Sequence, residues 1–174
     1  DYCWSVYKGN IDVCRIIDLS CGCGGFLVDM ARKMKERSNK TYKQIFSENI
    51  YGIDVQGYAI ERTKILLSLL ALSMGEDDEF SYNLWSANTL NFNFQEKFRP
   101  YHGFDIIIGN PPYVCSRNLT QETKEIIKKW SVCSTGHPDL YIPFFQVAIE
   151  NLSSNGVMGY ITMNSFLKSV NGRA

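Results

Sequence analysis

The chain has 174 residues, 45% hydrophobic and 21% charged, with 18 basic and 18 acidic side chains. That composition suits one soluble α/β domain with a real core. A formal net charge of zero excludes a chain that holds nucleic acid by its own basic excess, so either the target is not nucleic acid or the basic surface lies in a part of the protein outside this chain.

Residues 15–19 form a short β-branched run that ends in Cys21-Gly22-Cys23-Gly24-Gly25. Phe26, Leu27, Val28, Met30, Ala31 and Met34 then recur at helical spacing and lead into a basic, polar stretch from Arg32 to Lys43, in which Arg32, Lys33, Lys35 and Arg37 are read as a solvated helix face. Ile50 to Asp54 is a second strand. Residues 58–74 lack Gly and Pro and predict a helix with an apolar face through Ile65, Leu66, Leu69 and Leu70, closed by Gly75. Residues 81–85 are a third strand. Phe104 to Gly109 is apolar almost throughout, as a strand buried on both faces should be. Residues 120–130 predict a short polar helix. Asp139 is a candidate cap for a further helix carrying Phe144, Phe145, Ala148, Ile149 and Leu152 on one side, with Pro143 near its start. Asn155-Gly156 is a turn before a fifth strand over 157–162. Strand–helix alternation with continuous apolar strands predicts α/β architecture, a doubly wound, mostly parallel sheet in one domain.

The six cysteines, Cys3, Cys14, Cys21, Cys23, Cys115 and Cys133, form no repeated CxxC pair, and only His102 and His137 accompany them. Reduced, mostly buried thiols are expected, and no metal. No signal peptide or membrane-spanning apolar run is present. The chain opens at Asp1 without Met and stops at Gly172-Arg173-Ala174, which reads as a piece of a longer protein.

Two constellations carry chemistry. In an open parallel sheet, ligands bind at the carboxyl ends of strands near the point where strand order reverses. Asp18 and the loop that follows end the first strand, and Gly22, Gly24 and Gly25 let backbone approach a ligand closely. Asp54 ends the second strand, where a carboxylate can accept from both hydroxyls of a ribose. Together they point to a nucleotide, although Leu27 at the sixth position breaks the dinucleotide GxGxxG pattern.

The second constellation is Asn110-Pro111-Pro112-Tyr113, directly after Gly109. Two prolines fix φ and add no N–H, which makes a rigid, acceptor-rich corner. Asn110 offers a side-chain carbonyl, Pro111 a main-chain carbonyl and Tyr113 a flat face. Methylation of a planar amine needs such a corner. Two acceptors holding the amine hydrogens return the nitrogen lone pair toward a methyl donor, and they strengthen as charge develops. An aromatic face holds a base flipped from its duplex.

On these motifs the chain resembles the amino-methyltransferases of restriction–modification systems, and is most similar to the adenine-specific type II and IIG group in which the cofactor motif precedes the catalytic motif. Residues 18–27 resemble the cofactor loop, Tyr51-Gly52-Ile53-Asp54 the ribose-binding strand end and Asn110-Pro111-Pro112-Tyr113 the catalytic motif. Asp139-Leu140-Tyr141 with Phe144, residues 156–161, and Asn164-Ser165-Phe166-Leu167 are similar to the helix and strand that follow. The resemblance implies an S-adenosylmethionine-dependent methyltransferase fold, truncated after about five strands, acting on adenine in double-stranded DNA in the prokaryotic cytoplasm. It implies cofactor binding by Asp18, Cys21, Gly22, Gly24, Phe26, Asp54, Val55, Asn88 and Thr89. Val55 would lie against the cofactor adenine. Asn88 stands where the family normally has Asp, and its amide oxygen can accept from the cofactor's amino group. The target-recognition domain would lie beyond Ala174.

Related enzymes with the same catalytic motif methylate a protein glutamine amide or an RNA guanine amino group, and a catalytically inactive methyltransferase fold is a further alternative. The helix at Asp139-Leu140-Tyr141 leading into Ile161-Thr162-Met163-Asn164-Ser165-Phe166 favours DNA adenine over glutamine. Ser116, Arg117 and Asn118 are candidate DNA contacts, and His137 a loop residue near the site mouth.

Overall fold

Alternation along β1 (Ile16–Asp18) and β4 (Phe104–Gly109) divides the core in two, because successive strand side chains point to opposite faces. Ile16, Ile106 and Ile108 pack on one face, and Ile17 and Ile107 on the other. The computed structural model describes residues 2–164. Its sheet comprises β1, β2 (Ile50–Asp54), β3 (Asn83–Ser86), β4 and β5 (Leu152–Tyr160), in the order β3-β2-β1-β4-β5 with every pairing parallel. The expected doubly wound α/β sheet is thus present.

Helices α1 (Tyr2–Val6), α2 (Gly25–Arg37), α3 (Tyr42–Glu48) and α4 (Gly57–Ser73) contribute to the first core, through Trp4, Leu27, Met30, Met34, Tyr42, Phe46, Ile60 and Leu67. The opposite core is rich in rings. It takes Phe94 from α5 (Phe94–Lys97), Ile127 from α6 (Gln121–Ile127), and Phe144, Val147 and Ala148 from α7 (Ile142–Asn151). Phe98 and Phe104 meet edge to face at 5.4 Å between centroids. Arg15 lays its guanidinium 4.8 Å from the Phe104 ring centre and 5.0 Å from that of Tyr51, closing the amino-terminal edge of β1 and β4.

Several local expectations change. The stretch read as basic and polar runs from the end of α2 into the first residues of α3, whose start is a capping box: Thr41 accepts from the Gln44 N–H and Gln44 accepts from the Thr41 N–H. Tyr42, Ile45 and Phe46 are fully buried there. The apolar face of α4 is misassigned from sequence: Ala59, Ile60, Thr63, Leu67, Leu70 and Ala71 face the core, whereas Ile65, Leu66 and Leu69 are exposed. A helix that is apolar nearly all round gives no direction to its inner face.

Asp139 does not cap α7. Its Oδ1 accepts from the Ser116 N–H at 2.8 Å, and Pro143 sits in the first turn of the helix, where a missing N–H costs nothing. Ile149 is exposed and Leu152 opens β5. Asn155-Gly156 falls inside β5, where the register is irregular: Phe104 pairs with Leu152 while Ile106 pairs with Val157, so the β5 side carries the surplus residues. A Cβ on Gly156 would lie 2.9 Å from the Phe104 carbonyl oxygen, which only glycine avoids. The strand ends at Tyr160, short of Thr162. Ser165, Phe166 and Leu167 lie outside the described residues.

Candidate functional site

Strand order reverses between β1 and β4, since β1 leads outward to β2 and β3 while β4 and β5 lie on its other side. This switch point opens a crevice at the carboxyl ends of neighbouring strands. Asp18 ends β1 and Asn110 follows β4, so both constellations meet there. Ser20 Oγ donates to the Asn110 carbonyl at 3.3 Å, joining the glycine loop to the Asn-Pro-Pro-Tyr corner.

The loop is held by its neighbours. The Cys21 N–H donates to Ile53 O at 3.0 Å, and the Gly22 N–H donates to Asp54 Oδ2 at 2.8 Å. Gly24 has φ +79°, and a Cβ there would lie 2.5 Å from Thr63 Cγ2. Gly24 therefore serves the turn and its packing on α4, and borders neither hollow described below. Thr63 was not anticipated. Its hydroxyl lies within hydrogen-bonding distance of Gly22 O (3.1 Å) and Ala59 O (3.0 Å), bracing the loop from α4. A single threonine on an apolar helix carries no sequence signal for that role.

Two hollows flank Asn110. One, of about 510 Å³, is walled by Leu19, Ser20, Asp54, Val55, Gln56 and residues 87–90 on one side, and by Asn110, Pro112, Val114, Thr123, Leu140 and Phe144 on the other. The second, of about 580 Å³, is walled by Asp18, Ser20, Cys21, Gly22, Gly25, Phe26, Asp29 and Asn110. Asn110 and Ser20 belong to both, so the hollows are neighbours across the corner.

Asp54 accepts from Gly22 N–H and Gln56 N–H, one on each oxygen, and each oxygen keeps a further lone pair. Val55 is 66% exposed and presents an apolar surface to the first hollow. Thr89 is buried and donates to Leu19 O at 2.6 Å, so its hydroxyl pins the end of β1 to the segment after β3 and is not offered to the hollow. Asn88 Oδ1 already accepts from the Leu90 N–H at 3.0 Å. Like each oxygen of Asp54, it keeps a further lone pair.

Asp18 is 1% exposed. Burial pushes its carboxyl up to about 7; the Ser20 N–H opposes the rise and the nearby Asp54 charge adds to it. A Cβ on Gly109 would come 2.9 Å from Asp18 Oδ1, so the glycine before Asn110 leaves room for that carboxyl. Burial likewise raises the Cys21 thiol, aided by the Asp18 and Asp54 charges, so Cys21 packs as a neutral side chain.

At the corner, Pro111 is buried and Asn110 and Tyr113 are exposed. Tyr113 borders neither hollow, and its ring packs 5.9 Å from that of Tyr141. Its hydroxyl lies 2.5 Å from Asn110 Oδ1 and 2.5 Å from Ile161 O. A phenol has one proton and cannot donate to both. Turning the Asn110 amide over lets Nδ2 donate to the phenol while the phenol donates to Ile161, and leaves the amide oxygen for an incoming donor. Among the described residues, no group donates to the Pro111 carbonyl.

A third hollow, of about 410 Å³, lies beyond the corner between Ser116, Lys124, Lys128, Ser134 and His137, over a floor that includes Leu119 and Ile127. All six cysteines are free, with Cys14, Cys21 and Cys133 buried. Among the described residues, no helix is long and apolar enough to cross a membrane.

Solved structures share the fold. A protein described as a class I S-adenosylmethionine-dependent methyltransferase from Listeria monocytogenes superposes with a TM-score of 0.68 at 14% identity, over 98% of this chain and 45% of that one. The Type IIL restriction-modification enzyme MmeI, solved in complex with DNA, gives 0.67 at 16% identity, over 90% of this chain and 25% of that one. Among curated relatives, the type II methyltransferase M.BstVI of Geobacillus stearothermophilus is 28% identical over 94% of this chain and 31% of its own length. The type II restriction enzyme and methyltransferase RM.Eco57I of Escherichia coli is 25% identical over 97% of this chain and 22% of its own length. The chain thus spans less than a third of these two relatives. The sequence pattern of the Eco57I restriction-modification methylases matches residues 48–174, and the chain belongs to that family.

Proposed function

We propose that the chain holds S-adenosylmethionine at the switch point and transfers its methyl group to the exocyclic amino nitrogen of an adenine flipped out of double-stranded DNA, as the modification activity of a restriction–modification system. The observation that carries this reading is Asn110, which forms wall in both hollows while Ser20 ties its carbonyl to the glycine loop. The residues fit the cofactor. Asp54 retains lone pairs for ribose hydroxyls, and Val55, Leu90, Leu140 and Phe144 offer apolar surface to a purine. The neighbouring hollow at Cys21, Gly22, Phe26 and Asp29 has room for the methionine end.

When bound, the cofactor supplies an electrophilic methyl group. The chain's own residues activate the nucleophile. Asn110 Oδ1 and the Pro111 carbonyl accept the two hydrogens of the target amine and favour a nitrogen whose lone pair faces the methyl. Both acceptors sit on a corner that two prolines make rigid, so little reorganisation accompanies the developing positive charge. Tyr113, exposed beside them, stacks on the flipped base. Lys124 and Lys128 beside the third hollow supply cationic surface toward the DNA. Sequence readout is assigned to surface outside these residues.

The test is transfer of labelled methyl groups from S-adenosylmethionine by the full-length protein. Labelled adenine in duplex DNA, lost on Asn110→Ala, is the expected result. Activity that survives Asn110→Ala, or label that enters only protein glutamine or RNA guanine, overturns the assignment.

A further inference from the structure

Helix α4 is apolar on the side that faces away from the sheet as well as on the side that faces it. Tyr58, Ile65, Leu66, Leu69, Leu72 and Met74 are exposed, Leu69 by 54%, while Ile60, Leu67 and Leu70 fill the core. A contiguous apolar strip of this kind marks a surface on which something docks. Along it, Tyr58, Arg62, Ile65, Leu69 and Leu72 follow one another at intervals of four, three, four and three residues. That is the seam of a helix that packs lengthwise against a second helix. Arg62 is the charged member of the seam. It is exposed, and among the described residues it has no ion pair or hydrogen bond; the same holds for Asp77, just beyond the other end of α4. That end also carries the negative pole of the helix. Glu76 and Asp78 beside it are already engaged by Lys35 and Lys43.

We infer that a second copy of this chain covers the strip, with the two α4 helices packed antiparallel about a two-fold axis. An axis level with Leu67 sets Ile65 against the partner's Leu69 and Leu69 against the partner's Ile65. It sets Arg62 against the partner's Leu72, at the carboxyl end of that helix. There the free guanidinium meets the negative pole and the partner's Asp77, and the symmetry repeats the contact at the far end. Charge selects this arrangement over a parallel one, which would place Arg62 on its own copy and Asp77 likewise. The amino-terminal end of α4 adjoins the crevice, since Gln56, its cap residue, borders the 510 Å³ hollow. The two crevices therefore lie at opposite ends of the helix pair, and each copy keeps a site of its own. The pairing does not depend on which reaction the crevice performs.

Sedimentation velocity of the full-length protein over a range of concentrations tests the pairing, with circular dichroism to establish that each variant is folded. The wild type is expected to sediment as a dimer that dissociates on dilution. Leu69→Glu weakens that dimer by roughly 100-fold or more, because two leucines per dimer lose their burial. Arg62→Glu alone, or Asp77→Arg alone, weakens it by roughly 3- to 10-fold, because each sets like charges together at both ends of the helix pair. Mixing the two single variants restores wild-type affinity, since in a mixed pair each end again joins a carboxylate to a guanidinium. A wild type that stays monomeric throughout overturns the inference; if Leu69→Glu then lowers its melting temperature, another segment of the same polypeptide covers the strip. A dimer indifferent to Leu69→Glu, or charge variants that mixing fails to rescue, overturns it as well.

Discussion

The Tyr113 hydroxyl sits 2.5 Å from the side-chain oxygen position of Asn110 and the same distance from the Ile161 carbonyl. One phenolic proton between two oxygens makes Tyr113 the group that decides which end of the Asn110 amide faces outward. Under the proposed function the ring and the hydroxyl have separable roles, the first toward the base and the second toward Asn110. Tyr113→Phe keeps the ring and removes the link. Methyl transfer to DNA is expected to slow by roughly 3- to 10-fold in kcat with little change in DNA affinity, as for loss of one orienting hydrogen bond. Asn110→Ala is expected to cost about 100-fold or more, as for removal of a preorganised acceptor. Single-turnover transfer of labelled methyl groups separates the two. Equal losses for both variants would show that the hydroxyl is itself an essential group.

The glycine loop predicts an ordering of two similar substitutions. At Gly24 a Cβ meets Thr63 Cγ2 at 2.5 Å with φ at +79°, while at Gly22 φ is +53° and the added methyl finds open space. Gly22→Ala carries the backbone penalty alone, about 1 kcal/mol. Gly24→Ala adds a clash within a packed helix–loop contact and is expected to cost roughly 2–4 kcal/mol. Urea unfolding of the two variants measures the gap. A Gly24→Ala protein as stable as Gly22→Ala would mean that Thr63 yields at no cost.

Asp18 sets a pH dependence. Its carboxyl is raised by burial from the usual 3.8 to about 7, so the folded chain binds its proton more tightly than the unfolded chain does. Between those two values the native state holds more protons, and stability falls as pH rises from about 4 through about 7, then levels off. Asp18→Asn removes the titration and can still accept from the Ser20 N–H. The stability of the variant relative to wild type should therefore grow over that window, by an amount on the order of a few kcal/mol. Denaturant unfolding of ligand-free protein at pH 5, 6, 7 and 8 checks the sign. A difference that shrinks with rising pH would contradict a raised carboxyl.

Thr89 offers a test of how the pocket wall is held. Its hydroxyl donates to Leu19 O at 2.6 Å from a buried position. Thr89→Val preserves shape and leaves that carbonyl without its partner, at a cost of roughly 1–3 kcal/mol. Cofactor affinity is expected to fall as well, since that bond joins Leu19 to residues 87–90 in one wall of the hollow. Calorimetry on the folded variant measures it. Affinity unchanged beside a clear loss of stability would confine Thr89 to a structural role.

Much of this protein is legible along the chain because the chemistry is local. The glycine loop, the strand ending in Asp54 and the Asn110-Pro111-Pro112-Tyr113 corner each fall within a few consecutive residues. Backbone φ preferences, proline rigidity and unbroken apolar strands are properties that neighbours in sequence impose on one another. Alternation between Ile16 and Ile17, or Ile106 and Ile107, likewise assigns strand faces without any knowledge of what covers them. The capping box at Thr41 and Gln44 was equally present in the sequence, masked there by the charges around it.

Contacts between segments distant in sequence were decided only by the tertiary structure. The inner face of α4 depends on which helices and strands it meets, and Ile65 and Leu69 are as apolar as Leu67. Asp139 had the composition of a helix cap but reaches 23 residues back to Ser116, because the corner brings that N–H within range first. Asn88 lies one residue from the turn it caps, and one lone pair of its Oδ1 is taken by the Leu90 N–H. Sequence names the groups that are available. The fold determines which of their lone pairs and protons are already taken, and that requires the positions of partners that no spacing along the chain encodes.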